Sequence, residues 1–196
     1  RSDFLENILD AADIDGTLYD YQINDQLAMN HFCAFIEENL GVEEKIFRAT
    51  YTRARQIVRG RLKDTAAAHS RILLIQTALE LLGKNPFAHV LKLYDVYWNF
   101  FLENMRPYDG AAEFLRGLKA AGIKISTCTD MTAHIQYRKL AVLGLDKFID
   151  FMVTSEETGC EKPAPIMFEL ALEKMQVSAE EAAFFGDRSE ERRVGK

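Results

Sequence analysis

From Arg106 onward the chain alternates helical and strand patterns, and this alternation restricts the fold more than any other feature. Arg106-Pro107 marks a boundary, because a residue before proline is driven out of the helical region. A helix over 110–121 stops at Gly122, and Ile123 to Thr129 has the character of a strand. A second helix over 132–143 stops at Gly144, and Phe151 to Thr154 forms the next strand. Pro163 opens a helix that lasts to Met175, and the apolar run Ala182 to Phe185 reads as a strand ending in Gly186-Asp187. Near the N-terminus, Ile8 to Ala12 supplies one more short strand. Strands alternating with helices predict an α/β fold with a parallel, right-handed, doubly wound sheet.

Between the first strand and the rest, the pattern is helical throughout. Apolar residues recur at helical spacing over 24–40, 42–58 and 66–82, with Gly41, Gly60 and Gly83 as stops, and Asn85-Pro86 opens a fourth helix running to Met105. The expected organisation is an α/β core of residues 1–20 and 106–187 with an all-helical insertion over 21–105. Ligands of open α/β sheets bind outside the carboxyl ends of the strands, so an insertion straight after the first strand is most simply a cap over those ends.

Composition narrows the function. The chain has 196 residues, of which 48% are apolar, enough for one domain with a sizeable insertion. A net charge of −6 disfavours a nucleic-acid partner held through its phosphates. No stretch is long and apolar enough for a membrane span. Three widely spaced cysteines (Cys33, Cys128, Cys160) without a Cys-x-x-Cys pair suit a reducing compartment, and the expected location is cytoplasmic. The four histidines lack metal-ligand spacing, which argues against zinc. The oligomeric state is not legible. The ends are unusual: the chain starts at Arg1, and Arg188 to Lys196 is almost wholly charged and resembles the translation of a DNA-sequencing adaptor, so residues 188–196 are expected to be non-native.

The chemistry concentrates in Asp13-Ile14-Asp15-Gly16-Thr17-Leu18, at the carboxyl end of the first strand. Two carboxylates precede a Gly-Thr turn. Asp-Gly is a common turn former, so a plain turn with two solvated acids is one reading. A calcium loop of the EF-hand type is excluded by spacing, since its sixth-position glycine and its twelfth-position glutamate are both missing when counted from Asp13. Three further polar points fall at strand ends or just beyond: Thr129-Asp130, Lys162 before the Pro163 helix, and Asp187 after Gly186. Each has an ordinary explanation taken singly. In a parallel sheet, however, all these ends open on one side, so the residues can converge.

In this order the motifs resemble the four signatures of the haloacid dehalogenase-like hydrolase superfamily: Asp13 to Leu18, Thr129-Asp130, Lys162-Pro163-Ala164-Pro165 with Phe168, and Gly186-Asp187. The helical block resembles that superfamily's cap. The resemblance implies a Rossmann-like core and a Mg²⁺-dependent phosphohydrolase acting on a small phosphorylated metabolite through an aspartyl-phosphate. It implies that Asp13 is the nucleophile and Asp15 the acid–base. It further implies that Thr129, Asp130 and Lys162 contact the phosphate, and that Asp13, Asp15 (through its main-chain carbonyl) and Asp187 hold the metal. An acid at Asp15 favours a phosphatase over a dehalogenase, because halide leaves without a proton. A phosphomutase uses the same groups, and a catalytically inactive binding module would keep the fold without needing the full set. Substrate choice is expected from the basic stretch Arg53, Arg55, Arg59, Arg61, His69 and Arg71, of which Arg71 is the chosen contact; a solvated helix face is the plainer explanation of the stretch.

Two departures from the pattern stand out. Asp10, Ala11 and Ala12 are weak strand formers where bulkier residues are usual. The second acid expected after Asp187 would fall on Glu191, inside the adaptor-like tail, and the role is not carried onto it. The resemblance also implies a last strand and helices after Asp187, which the sequence lacks, so a poorly stable chain is expected.

Overall fold

The computed structural model describes residues 9–186, with side chains from Ala12 onward. In chain order the elements are β1 (Leu9–Ala12), α1 (Tyr21–Leu40), α2 (Glu44–Leu62), α3 (Arg71–Leu81), α4 (Pro86–Glu103), α5 (Ala111–Ala120), β2 (Ile125–Thr129), α6 (Ala133–Leu143), β3 (Phe151–Thr154), α7 (Ser155–Thr158), α8 (Pro165–Met175) and β4 (Ala182–Phe185). Two compact units result, one running up to Tyr21 and resuming at Met105, the other spanning Gln22–Asn104.

The first unit contains a parallel sheet in the order β3-β2-β1-β4. Ala12 lies beside Thr127 on one flank and Phe185 on the other. From β1 the chain builds β2 and β3 outward on one side and then crosses back to place β4 on the other. That reversal is the switch point at which α/β sheets form a crevice. The weak strand formers of β1 are tolerated because the strand is paired on both edges, so neighbours rather than propensity fix it. One face of β2 and β3 is sealed by α8, whose Met167, Phe168, Ala171 and Met175 pack with Ile123, Cys128 and Val153. Each large side chain buried this way contributes about 1.5–3 kcal/mol.

The second unit is four helices around an aromatic core. Phe32 meets Phe47 edge-on at 5.4 Å, and Tyr97 meets Trp98 edge-on at 5.1 Å. Such pairs add about 0.5–1.5 kcal/mol beyond their buried area. Asn85 caps α4, its Oδ1 accepting from the Phe87 amide at 3.0 Å, as Asn-Pro in the sequence predicts.

Several boundaries differ from the sequence expectation: α8 opens at Pro165 rather than Pro163, β2 at Ile125 rather than Ile123, and two helices depart further. The second helix does not end at Gly60 but runs to Leu62, with the left-handed residue falling on Lys63 at φ 47°. A glycine inside a helix costs only about 0.5–1 kcal/mol, which buried Phe47, Tyr51, Ala54 and Val58 on the same helix outweigh. The helix expected over 66–82 is broken. Ala66–His69 is a 3₁₀ turn, Ser70 is extended, and the regular ladder starts only at Arg71. No described helix is long and apolar enough to cross a membrane.

The three cysteines are free, and only Cys160 is exposed. Burial pushes the Cys33 thiol up to about 11, with Arg48 pulling weakly the other way. Thiolate is the reactive form, so Cys33 is inert on two counts. Titration of the native chain with an aromatic disulfide at pH 8 is expected to give one fast equivalent, lost in Cys160→Ser, and three equivalents after unfolding. Fast labelling of Cys33 would contradict this packing.

Candidate active site

Asp13 follows the last residue of β1, where the ladder ends. The turn behind it is closed by the Ile14 carbonyl, which accepts from the Leu18 amide at 3.1 Å, and Gly16 takes φ 82°, a conformation that suits a residue without Cβ. The Asp13 side chain is buried. Its Oδ1 accepts the Ile14 amide at 2.8 Å, and its Oδ2 lies 2.7 Å from Lys162 Nζ, with side chains only 7% and 3% exposed. Residues 149 positions apart are thus in direct contact, the distance in sequence spanned by the return of the chain to the strand ends.

Asp15 is held by different partners. Lys139 Nζ reaches both carboxylate oxygens, at 2.6 and 2.8 Å, and Tyr19 Oη donates to Oδ1 at 2.5 Å. Gln136 Nε2 donates at 2.6 Å to Thr129 Oγ1 and reaches Asp15 Oδ2 at 3.4 Å. Thr129 therefore stands at the end of β2 with its hydroxyl oriented by α6, and Gln136 joins it to Asp15.

Asp130 ties two loops together. Its Oδ1 accepts the main-chain amide of Lys162 at 2.9 Å, which fixes where that loop sets its ammonium group. The next residue, Met131, has φ 127°, a conformation that costs a non-glycine residue about 1–3 kcal/mol. It is held by the Ser155 hydroxyl, which accepts the Met131 amide at 2.9 Å, and by Glu156, which accepts the Ala133 amide at 2.8 Å. The start of α7 thereby anchors the loop between β2 and α6.

Asp13, Asp15, Thr129, Asp130 and Lys162 are thus brought into one polar network. Asp187 lies outside the described residues. The Asp13 amide donates to the Phe185 carbonyl at 3.2 Å, so β4 ends level with Asp13. Among the described residues no three His, Cys, Asp or Glu side chains group as a metal site. The Asp13 carboxylate and the Asp15 carbonyl are nonetheless hard oxygen donors. Such donors fit Mg²⁺, which takes one or two carboxylates and keeps several waters.

Arg71 belongs to the helical unit and sits elsewhere in the chemistry. Its side chain is 5% exposed. Nη1 donates to Tyr51 Oη at 2.7 Å, and Nη2 donates to Tyr97 Oη at 2.6 Å and pairs with Asp25 at 3.1 Å. The guanidinium lies 3.7 Å from the centre of the Tyr97 ring. Tyr97 Oη in turn donates to Asp25. Asp25, Tyr51, Arg71 and Tyr97 come from α1, α2, α3 and α4, so one cation joins all four helices. Arg53, Arg59 and Arg61 are exposed, as a solvated helix face requires.

The sequence motifs do not mark Gln136, Lys139 or Tyr19. The signal for two of them was present. The buried face of α6 carries Ile135, Gln136, Lys139, Leu140 and Leu143, so two polar residues interrupt an apolar stripe at i and i+3. Tyr19 gave no such signal.

A family model described as haloacid dehalogenase-like hydrolase matches residues 11–195. A ribulose-1,5-bisphosphate 5-phosphatase of Halopiger xanaduensis is 38% identical over 180 residues, covering 89% of this chain and 74% of that protein. A glyceraldehyde 3-phosphate phosphatase of Methanopyrus kandleri is 30% identical, covering 90% of this chain and 73% of that protein. Among solved structures, a magnesium-bound HAD-hydrolase of Bacillus subtilis superposes with a TM-score of 0.67 at 24% identity, covering 93% of this chain and 80% of that one.

Two stability predictions come from these pairs. Lys162→Met strands a buried carboxylate and is expected to cost about 3 kcal/mol, much of it recovered in Asp13→Asn/Lys162→Met. Urea midpoints of the two single variants and the double variant measure the coupling, and additive losses would show that the pair is not coupled. Arg71→Met strands Asp25 and is expected to cost about 3–5 kcal/mol, with Arg71→Lys restoring little because an ammonium cannot reproduce the fork. The same midpoints test it.

Proposed function

The chain belongs to the haloacid dehalogenase-like hydrolases, and from that membership we propose that it hydrolyses the phosphate monoester of a small sugar metabolite through an aspartyl-phosphate on Asp13. The observation that carries this reading is the buried contact of Asp13 with Lys162 at the end of the central strand, with a second carboxylate two residues on. A carboxylate is a competent nucleophile toward phosphorus, but it repels an anionic ester. For charges about 4 Å apart that repulsion is worth about 4 kcal/mol at an effective dielectric near 20. Lys162 offsets it from a fixed position, because Asp130 holds its amide.

An Asp13 oxygen attacks phosphorus, and the ester oxygen leaves with a proton delivered by Asp15. Water then attacks the aspartyl-phosphate, giving up its proton to Asp15, and inorganic phosphate departs with Asp13 regenerated. Thr129 donates a hydrogen bond from its hydroxyl to a non-bridging oxygen. Asp13, the Asp15 carbonyl and Asp187 would hold Mg²⁺, which would supply neutralisation of phosphoryl charge. A sugar phosphate is the substrate class because the similar proteins of Halopiger xanaduensis and Methanopyrus kandleri are phosphatases of ribulose 1,5-bisphosphate and glyceraldehyde 3-phosphate. The helical unit, inserted between β1 and β2 in the chain, serves substrate choice, with Arg71 organising it from within.

The expected result is Mg²⁺-dependent release of phosphate from p-nitrophenyl phosphate, ribulose 1,5-bisphosphate and glyceraldehyde 3-phosphate. Chelation should abolish it, and Asp13→Asn should lower it by at least ~10⁴-fold. Turnover that survives Asp13→Asn, or a folded chain that turns over none of the three, would overturn the reading.

A further inference from the structure

The carboxylate assigned to proton transfer is held more closely than a flexible acid needs to be. Lys139 Nζ contacts both of its oxygens, and Tyr19 Oη adds a third contact. Gln136 reaches the same carboxylate while its stronger bond goes to Thr129. Gln136 and Lys139 lie one turn apart on α6, and both are fully buried. We propose that they form a positioning clamp, through which α6 fixes the plane and rotamer of Asp15 and registers it against Thr129. The proposal rests on the phosphatase reading above.

The chemistry of position 139 supports this. Its ammonium group is 3.6 Å from Met131 Sδ and 5.8 and 5.5 Å from the ring centres of Tyr19 and Tyr21, surroundings that a leucine or methionine would fill at lower desolvation cost. What an apolar side chain cannot do is engage two oxygens at once. Two such contacts set the plane of a carboxylate as well as its place, which is what proton delivery to one ester oxygen requires. Gln136 supplies the lateral reference, since the same amide nitrogen lies 2.6 Å from Thr129 Oγ1, 3.2 Å from the Asp130 carbonyl and 3.4 Å from Asp15 Oδ2.

The experiment separates proton delivery from phosphate binding. In p-nitrophenyl phosphate the P–O bond breaks to release a phenolate that needs no proton. In glycerol phosphate the leaving alkoxide must take one from Asp15. Because kcat/KM reports the steps up to release of the alcohol, Lys139→Met should lower it for glycerol phosphate by ~10²–10⁴-fold and for the aryl ester by less than ~10-fold. Lys139→Arg should restore part of the loss, because a guanidinium can also hold both oxygens. Adding Lys139→Met to Asp15→Asn should lower the glycerol phosphate rate no further. If Lys139→Met fails to fold, Lys139→Gln, which keeps a single donor for Asp15, is expected to show the same selectivity at smaller size. Equal losses on both esters, or no loss on either, would overturn the clamp. A wild-type chain inactive on both esters would instead overturn the phosphatase reading.

Discussion

Two carboxylates two residues apart at the end of a central strand are an unfavourable thing to build. Two like unit charges about 6 Å apart repel by about 3 kcal/mol at an effective dielectric near 20, before any desolvation. The chain answers with two ammonium groups from distant segments: Lys162 on Asp13 and Lys139 on Asp15. Both lysine side chains are essentially buried, against carboxylates that are 7% (Asp13) and 21% (Asp15) exposed, so each acid is desolvated beside its own cation. The end of β1 is therefore completed only when α6 and the loop before α8 are in place.

The rest of this unit makes that arrival geometrically definite. Asp130 receives the Lys162 amide, Gln136 receives nothing from Thr129 but directs a donor at it, and Ser155 steadies the strained Met131 between them. Among the described residues, the loops beyond β1, β2 and β3 are tied to one another by side chains rather than left to solvent. A site held in this way loses little freedom when a substrate enters, which is the source of the rate advantage in an oriented reaction.

Much of this was legible in the sequence because the signals were repetitive or short-range. Alternation of helix and strand gave the parallel sheet, and β3 and β4 fall on the ranges their apolar runs mark. Proximity of Asp13 to Lys162 followed from parallel strands sharing one end. The partners of Asp15 were not legible in the same way. Gln136 and Lys139 look like the ordinary exposed positions of an amphipathic helix until the facing surface is known, and only their place on the apolar stripe gives them away. Gly60 and Ser70 misled for the opposite reason: local propensity there is weak, and tertiary packing decided where the helices stop. Arg71 reads in sequence as one more cation of a basic stretch, whereas its burial is a property of four helices together.

That last arrangement bears on how the helical unit comes apart. A bundle pinned by one guanidinium has no loosely attached fringe, since peeling away any single helix robs the pin of one of Asp25, Tyr51 or Tyr97, or of Arg71 itself. Detaching any one helix also breaks the guanidinium's contacts with the others, which couples the four helices as they open. The outward surfaces of α2, where Arg53, Arg59 and Arg61 project, are thereby left free to drift in composition without loosening the centre.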